Sequence, residues 1–514
     1  MNSVNYSGVT QRAGITTVGG LFSARSATQP NRTAVREGKN VLTYGELEAR
    51  STALAHWFLG QGMEQGDRVA VHLHNCTAYL EIELAAAKAG LIVAALNWRL
   101  SAQELTHCIN LVEPRLIIEG PDSAAILDDC TIGQTPRLLL AHVQKRVGAN
   151  PNHAALPPLA DPEAGLVILY TSGTTGLPKG ALISHRAMVA RMAAFNLDLH
   201  LPPVVDFLAW APLFHMASTD HALATLLQGG AVHIVDGYQP QAMLDVIENH
   251  ALGWLVLMPG MIADFASHAV ARGTKPKGIT AMGAMADLVP RAELAAVTSA
   301  LNTPYLNTFG ATETGLPPAT GNVVPVGVAP TDLRKRQSSL CQVKLVDPDD
   351  NEVPDGTPGE VAVRGPTVFS GYWNAHDTNA HDFRGGWFHM GDVMRRNEDG
   401  TLSYVDRVKY MIKSGGENIY PAEIEAVIQD LEAVETATVV RQKSVRWGEE
   451  PVAFIVLKKG MALTADTILT HCENTMARYK LPKAIHFISD NDLPRSATGK
   501  IQRHVLEEQL DKTV

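Results

Sequence analysis

The chain has 514 residues, 46% of them apolar and 19% charged, with a formal net charge of −10. That length exceeds one ordinary hydrophobic core and requires two or more domains. The acidic balance excludes general binding to nucleic acid or to an anionic membrane, so a phosphate-bearing ligand must be held by local groups.

The opening "MNSVNYSGVTQRAG" lacks a basic start running into an apolar core, so no secretory signal is expected there. "RVAVHL" (68–73) reads as a buried strand and "YLEIELAAAKAG" (79–90) as a helix stopped by glycine. "LIVAAL", "RLIIEG", "AVHIVD" (231–236) and "WLVLMP" (254–259) read as further strands. Strands alternating with helices of this length predict a doubly wound α/β architecture. From 340 to 405, short strands and turn signals such as "DPDDNEVPDGTPGE" and "NEDGT" predict a β-rich subdomain. Beyond it a helix is expected at "PAEIEAVIQDL", with Pro421 in its first turn, then strand "AFIVLK" and helix "TADTILTHCENTM". These last elements make a small α+β domain, and the expected division is residues 1–407 and 408–514. No apolar run is long enough to span a bilayer, and "DKTV" at the end matches no targeting tail. The five cysteines are scattered without a CxxC pair, which points away from zinc and disulfides and toward a reducing cytoplasm.

One stretch departs from this rhythm. "YTSGTTGLPKGALISH" (170–185) follows the apolar strand "GLVILY" with hydroxyls, glycines and a lysine. Gly173, Gly176 and Gly180 permit backbone angles that let successive N–H groups converge on one anion. Thr171, Ser172, Thr174 and Thr175 add hydroxyl donors, and Lys179 adds a cation. The stretch is neither G-x-x-x-x-G-K-[ST] nor G-x-G-x-x-G, so a P-loop NTPase and a dinucleotide fold find no support. By composition alone a surface loop remains an equal reading.

The same stretch resembles the phosphate loop of the adenylate-forming superfamily, which comprises acyl-CoA synthetases, peptide-synthetase adenylation domains and beetle luciferases. The resemblance runs in order from "LTYGELEARSTALAHWF" (42–58) to "LPRSATGKIQR" (493–503). It implies a large N-terminal domain of αβ subdomains plus the β-rich subdomain, and a small mobile C-terminal domain. It also implies the activity: ATP activates a carboxylic acid as an acyl-adenylate, pyrophosphate leaves, and a thiol displaces AMP. Within "NTFGATETG" (307–315), Phe309 is implied to stack near adenine, Thr312 to bond the α-phosphate and Glu313 to hold Mg²⁺. Asp392 in "WFHMGDV" and Arg407 are the implied ribose contacts, and Lys409 the hinge. Lys500 is the implied catalytic lysine, bridging the carboxylate and ATP oxygens. After the small domain rotates, Lys413, Gly415 and Gly416 are implied to line a pantetheine tunnel, with Trp447, Tyr479, Lys480 and Lys483 near the CoA nucleotide.

"APLFHMAS" (211–218) resembles the acyl-pocket segment, with His215 where carboxylate and thiol meet. His215 and Met216 replace the Phe-Asp of amino-acid-activating relatives, which argues against an amino-acid substrate. The expected lining comprises Ala194, Met216, Ala217, Val256, Gly283, Ala284, Thr308, Gly310, Gly315 and Leu316, all small or lacking charge. An apolar, aromatic, alicyclic or short-to-medium-chain acid fits it. The expected partners are that acid, ATP and CoA, with no nucleic acid or membrane and a homodimer as a compatible assembly. A carrier-protein pantetheine is the alternative acceptor, and the absence of a fused carrier after Lys500 favours free CoA. A non-catalytic acyl or nucleotide sensor is the rival of another class, and Thr312, Glu313, Asp392, Arg407 and Lys500 together speak against it. The run Arg334, Lys335, Arg336 reads as a solvated loop, with phosphate contact as the lesser reading.

Overall fold

In the computed structural model the described residues are 14–149, 151–154, 156, 159, 161–171, 177–202, 205–287, 289–415, 417–495 and 501–511. The chain divides into two compact units: residues 1–342 with 363–388, and residues 343–362 with 389–514.

Among the described residues, the first unit holds a six-stranded and a nine-stranded sheet. The six strands run in the order Arg137–Leu139, Leu116–Glu119, Arg68–His72, Ile92–Ala95, Gly165–Thr171, Lys179–Ser184. All pairs are parallel except the last, an antiparallel hairpin. Parallel neighbours need crossovers, and helices Thr77–Ala89 and Ala102–Val112 supply them. The first of these stops at Gly90, whose φ of 74° suits a residue without Cβ. The second starts at a capping box in which Ser101 and Glu104 each bond the other's backbone N–H. Ile109, Val112, Ile117 and Ile168 pack between helix and sheet, each contributing about 1.5–3 kcal/mol by burial.

The nine-stranded sheet places Tyr305–Ala311, Ile279–Ala284, Leu252–Val256, Asp206–Ala209 and Val232–Ile234 side by side, all parallel. The expected strand at 254–259 sits earlier, at Leu252–Val256, because Pro259 brings no ladder N–H. Open parallel sheets bind ligands beyond the carboxyl ends of their strands. Three predicted stations lie there: Thr171 ends Gly165–Thr171, His215 follows Asp206–Ala209, and Thr312 follows Tyr305–Ala311.

The second unit is built mainly on a four-stranded sheet (Gln342–Val346, Pro358–Arg364, Phe388–Arg396, Leu402–Arg407) and a five-stranded sheet around Gly448–Leu457. Helix Pro421–Gln429 has its proline at the first turn, as expected, and Thr464 caps Ala465–Thr475. Ile412, Ile424, Val439, Ile455 and Ile468 share one core. Asp406, 2% exposed, accepts bonds from the Arg407 and Ala422 N–H groups, both at 2.7 Å. Its carboxyl is pushed up to about 6, chiefly by burial. Among the described residues no helix is long and apolar enough to cross a membrane.

Candidate active site

The hairpin Gly165–Thr171/Lys179–Ser184 pairs Thr171 with Lys179, so the two ends of the phosphate loop are adjacent. Ser172, Gly173, Thr174, Thr175 and Gly176 lie outside the described residues. A second segment runs beside this hairpin. Leu182 N–H donates to Gly371, Trp373 N–H to Gly180, and Ala181 bridges to Tyr372. That register brings the Tyr372 ring under Lys179, whose Nζ lies 4.9 Å from the ring centroid. The Tyr372 hydroxyl donates to Glu313 Oε1 at 2.7 Å, and the Phe369 N–H donates to the Glu313 carbonyl. Lys179, Tyr372 and Glu313 therefore form one connected row.

Arg191 fastens the same loop from below. It is 3% exposed and donates from Nη2 to Thr312 O and from Nε to Thr367 O, both at 3.0 Å. Its Nη1 meets Asp220 Oδ2 at 3.4 Å, with the Asp220 side chain also buried. Desolvation is the largest pressure on both groups, lowering Arg191 and raising Asp220, and the opposite charge of each partner opposes it. A guanidinium does not give up its proton at any ordinary pH, so the pair holds Thr312 as an ionic clamp.

His215 is exposed at the N-cap of helix Met216–Gln228, where Nδ1 accepts the Ala217 N–H at 3.2 Å. The neutral ring then carries its proton on Nε2. A helix N-terminus favours a carboxylate, which suits the implied position. Met216, Ala217 and Val256 are buried, as are Ala194 and Thr308. Gly310 and Gly315 close the hairpin that carries Thr312 and Glu313, and Leu316 follows them. Ala284 ends the strand that contains Gly283. A Cβ on Gly283 would lie 2.1 Å from the Leu306 carbonyl and 3.0 Å from the Trp254 ring, so glycine is required there by the neighbouring strand. Phe309 is buried at 2% exposure.

In the second unit, Asp392 and Arg407 are register partners, and Arg407 Nε donates to Asp392 Oδ1 at 2.9 Å. Lys409 lies in the exposed turn Val408–Tyr410. Gly415 has φ 60°, its N–H donates to the Trp447 carbonyl, and a Cβ on it would meet the Trp447 ring at 2.8 Å. Lys413 N–H donates to Glu449. The Lys480 ammonium binds Glu423, while Tyr479 and Lys483 are exposed. Gly416 and Lys500 lie outside the described residues.

The basic run departs from the expectation of a solvated loop. Lys335 is fully buried and its Nζ donates to both oxygens of Asp287 at 2.7 and 2.6 Å. Only an acidic partner from a distant segment makes such burial affordable, and nothing in the local sequence announces it. Arg334 pairs with Asp332 on the surface. Tyr372, Arg191 and Asp220 were not singled out by sequence. "FSGYWN" has turn glycine but no spacing that ties it to Glu313.

Comparison with known proteins identifies the family. The sequence pattern of the AMP-binding enzyme family matches residues 22–373, and that of the AMP-binding enzyme C-terminal domain matches 423–500. A feruloyl-CoA synthase from Amycolatopsis is 34% identical over 490 residues, covering 93% of this chain and 96% of that one. An indoleacetate–CoA ligase from Aromatoleum aromaticum is 31% identical, covering 92% and 94%. The o-succinylbenzoate CoA synthetase of Bacillus subtilis, solved with its acyl-adenylate intermediate, shares the fold with a TM-score of 0.82 at 24% identity, covering 95% and 97%. The chain belongs to the AMP-binding enzyme family, in its acyl-CoA synthetase branch.

Proposed function

We propose that the protein joins an aromatic carboxylic acid to CoA in two steps driven by ATP. In the first, a carboxylate oxygen attacks the α-phosphorus, the bond to the β-phosphate oxygen breaks, and pyrophosphate leaves. In the second, the CoA sulfur attacks the acyl carbon of the adenylate and AMP leaves. The observation that carries this reading is the row Lys179–Tyr372–Glu313 beside the ends of the phosphate loop, with Thr312 clamped next to it. Oriented donors and a cation beside a carboxylate suit an anion that must react with another anion. The aromatic acid is supported by the names of the relatives, one a feruloyl-CoA and one an indoleacetate enzyme.

Within it, Lys179 and the loop 171–176 hold the departing phosphates, Thr312 the α-phosphate, and Phe309 the adenine. The Asp392 carboxylate accepts from the ribose hydroxyls, with Arg407 fixing it. Glu313 offers a hard oxygen donor of the type Mg²⁺ prefers, and its tie to Tyr372 leaves carboxylate capacity for such an ion. When bound, Mg²⁺ supplies neutralisation of phosphate charge. His215 receives the carboxylate at its helix N-terminus. Lys500 completes adenylation from the small domain, which turns about Lys409 at the division 407/408 and presents Lys413, Gly415 and Gly416 to pantetheine, with Trp447, Tyr479 and Lys483 toward the CoA nucleotide. A cytoplasmic site and a homodimer are compatible with this chemistry.

The test is a panel of aromatic, alicyclic and aliphatic acids read for both pyrophosphate release and acyl-CoA. Aromatic acids should give both products in equal amounts. Pyrophosphate without acyl-CoA, restored by a carrier-protein pantetheine, would move the acceptor away from free CoA. No turnover with any aromatic acid would remove the substrate assignment.

A further inference from the structure

Away from the expected nucleotide and acid stations, three side chains of metal-binding type converge in the nine-stranded sheet. Asp206, His233 and His250 each offer one ligand atom, and these atoms all lie within 4.8 Å of one another. They come from three neighbouring parallel strands. Asp206 opens the middle one, Asp206–Ala209; His233 stands in Val232–Ile234 on one side, and His250 lies just before Leu252–Val256 on the other. The register makes them meet. The Ala231 N–H donates to Asp206 Oδ1 at 2.9 Å, and His233, two residues further on, shares the face of Ala231. Leu252 is the register partner of Asp206, and His250 lies two residues earlier in extended backbone (φ −133°, ψ 141°), so it returns to the face of Leu252.

Both imidazoles address one oxygen. Asp206 Oδ2 lies 2.9 Å from His233 Nε2 and 3.8 Å from His250 Nδ1, and the two rings are 4.1 Å apart, centroid to centroid. The Ala231 bond occupies the other carboxylate oxygen and fixes the direction of the first. Ligand atoms at zinc bond lengths stand about 3.3 Å apart in a tetrahedron, between the two distances found here. His233 is buried while Asp206 and His250 are half-buried, which leaves a side where water can serve as fourth ligand. A hydrogen bond between Asp206 and His233 accounts for one imidazole but not for a second set against it at the same oxygen.

The groups around the cluster select the ion. Arg36, on the strand beside His233, and Lys277 lie within electrostatic reach of His250. They weigh against a hard cation held by charge alone. Imidazole nitrogens bond through a lone pair and favour zinc over Mg²⁺. The scattered cysteines argue against a thiolate site, and this cluster uses none.

We propose that Asp206, His233 and His250 form a structural zinc site that ties three strands of the nine-stranded sheet near their amino ends. The expected nucleotide and acid stations lie beyond the carboxyl ends of the strands, so the ion acts on the stability of the first unit and not on the reacting groups. One ion holding three strands binds the folded sheet and not the unfolded chain, where Asp206 and His250 are 44 positions apart, and it stabilises by that difference.

The test uses the full chain, freed of metal by a chelator, given Zn²⁺ in an excess of Mg²⁺ and passed through gel filtration. The unaltered protein should retain about one zinc per chain and unfold at a higher temperature with the ion than without it. His250→Phe keeps a ring beside His233 and removes the nitrogens, and Asp206→Asn keeps the acceptor for Ala231 and removes the charge. Both variants should lose the retained zinc and the zinc-dependent shift in unfolding. Co²⁺ in place of Zn²⁺ should give the visible absorption of a tetrahedral site in the unaltered protein. An unaltered protein that retains no zinc would overturn the assignment, as would a Co²⁺ spectrum of octahedral type. Zinc retention that survives in either variant would place the ion elsewhere and overturn it too.

Discussion

Around Glu313 the polar side chains are tied to one another: its carboxylate to Tyr372, Tyr372 to Lys179, and the neighbouring Thr312 carbonyl to Arg191. Around His221 the neighbours are aromatic rings, Phe195, Phe207 and Trp254, and among the described residues the buried Trp254 Nε1 has no hydrogen-bond partner. The difference follows from what each wall must hold. On the proposed function a triphosphate meets the first region with several charges and a strong hydration shell, so that wall has to be fixed in advance by groups that cannot turn away. The rings around His221 are held by packing against one another, which asks for no such ties. One region is ordered by polar ties, the other by packed rings.

The comparison breaks first at Lys500. If the nucleotide wall needs a cation from the small domain to complete it, Lys500→Ala should lower pyrophosphate release on the order of 10²- to 10³-fold. Thioester formation from supplied acyl-adenylate should remain, and a matching loss of both steps would take the role away from this lysine. Next in size is the clamp. Arg191→Leu leaves the Asp220 carboxylate buried without its cation, and should cost about 3–5 kcal/mol in urea unfolding. Adding Asp220→Leu should return part of that loss. An Arg191→Leu protein of unchanged stability would mean that the clamp is not under ionic tension.

How far such features could be foreseen depends on the range of the contact. Gly90, Pro421 and Thr464 act on their own helices, and each is legible from its neighbours. The phosphate loop, Glu313, Asp392 and Arg407 are legible as motifs, because their spacing is local. Tyr372 is not, since it reaches Glu313 across 59 positions through a bridge to Ala181. Lys335 reads as solvated until Asp287, 48 positions away, is placed against it. His221 looks like any polar residue on a helix, and its cage comes from Phe195, Phe207 and Trp254 on other elements. Local pattern specifies which face of an element is buried, while the identity of what it meets depends on topology.

Buried titratable groups in the first unit sharpen the contrast through pH. Desolvation holds His72 and His185 down to about 4 and His221 to about 3, from 6.5. Below pH 6.5 the unfolded chain binds protons that the folded unit refuses, so stability falls as pH drops toward 4. Glu83 shifts the other way, raised by burial from 4.5 to about 8, with the Thr219 hydroxyl beside it at 3.3 Å. Between those values the folded state keeps a proton that the unfolded chain has lost, so stability falls as pH rises. For these four groups the maximum lies near pH 6.5, with an alkaline slope of about 1.4 kcal/mol per pH unit. Glu83→Gln should remove that alkaline slope in urea unfolding between pH 6.5 and 8 and steepen the acid side between 4.5 and 6.5, where Glu83 had opposed the histidines. A slope that survives the substitution would assign it to other groups.

The smallest expected effect bears most directly on the contrast between the two walls. Tyr372→Phe keeps the ring under Lys179 and removes only the hydroxyl that holds Glu313. If the carboxylate is bound through prior organisation, losing one tether lets it rotate, and each ATP that binds must order it again. A hydrogen bond of this kind is worth about 0.5–1.5 kcal/mol, so KM for ATP should rise roughly three- to tenfold. KM for the carboxylic acid should stay constant, since no hydroxyl of Tyr372 faces that wall in this arrangement of bonds. Unfolding stability should change little, because Glu313 can exchange the phenol for water. A parallel rise in both KM values would mean that the hydroxyl supports the whole cleft, and a rise in neither would mean that Glu313 is held by its backbone bond to Phe369 and needs no tether at its carboxylate.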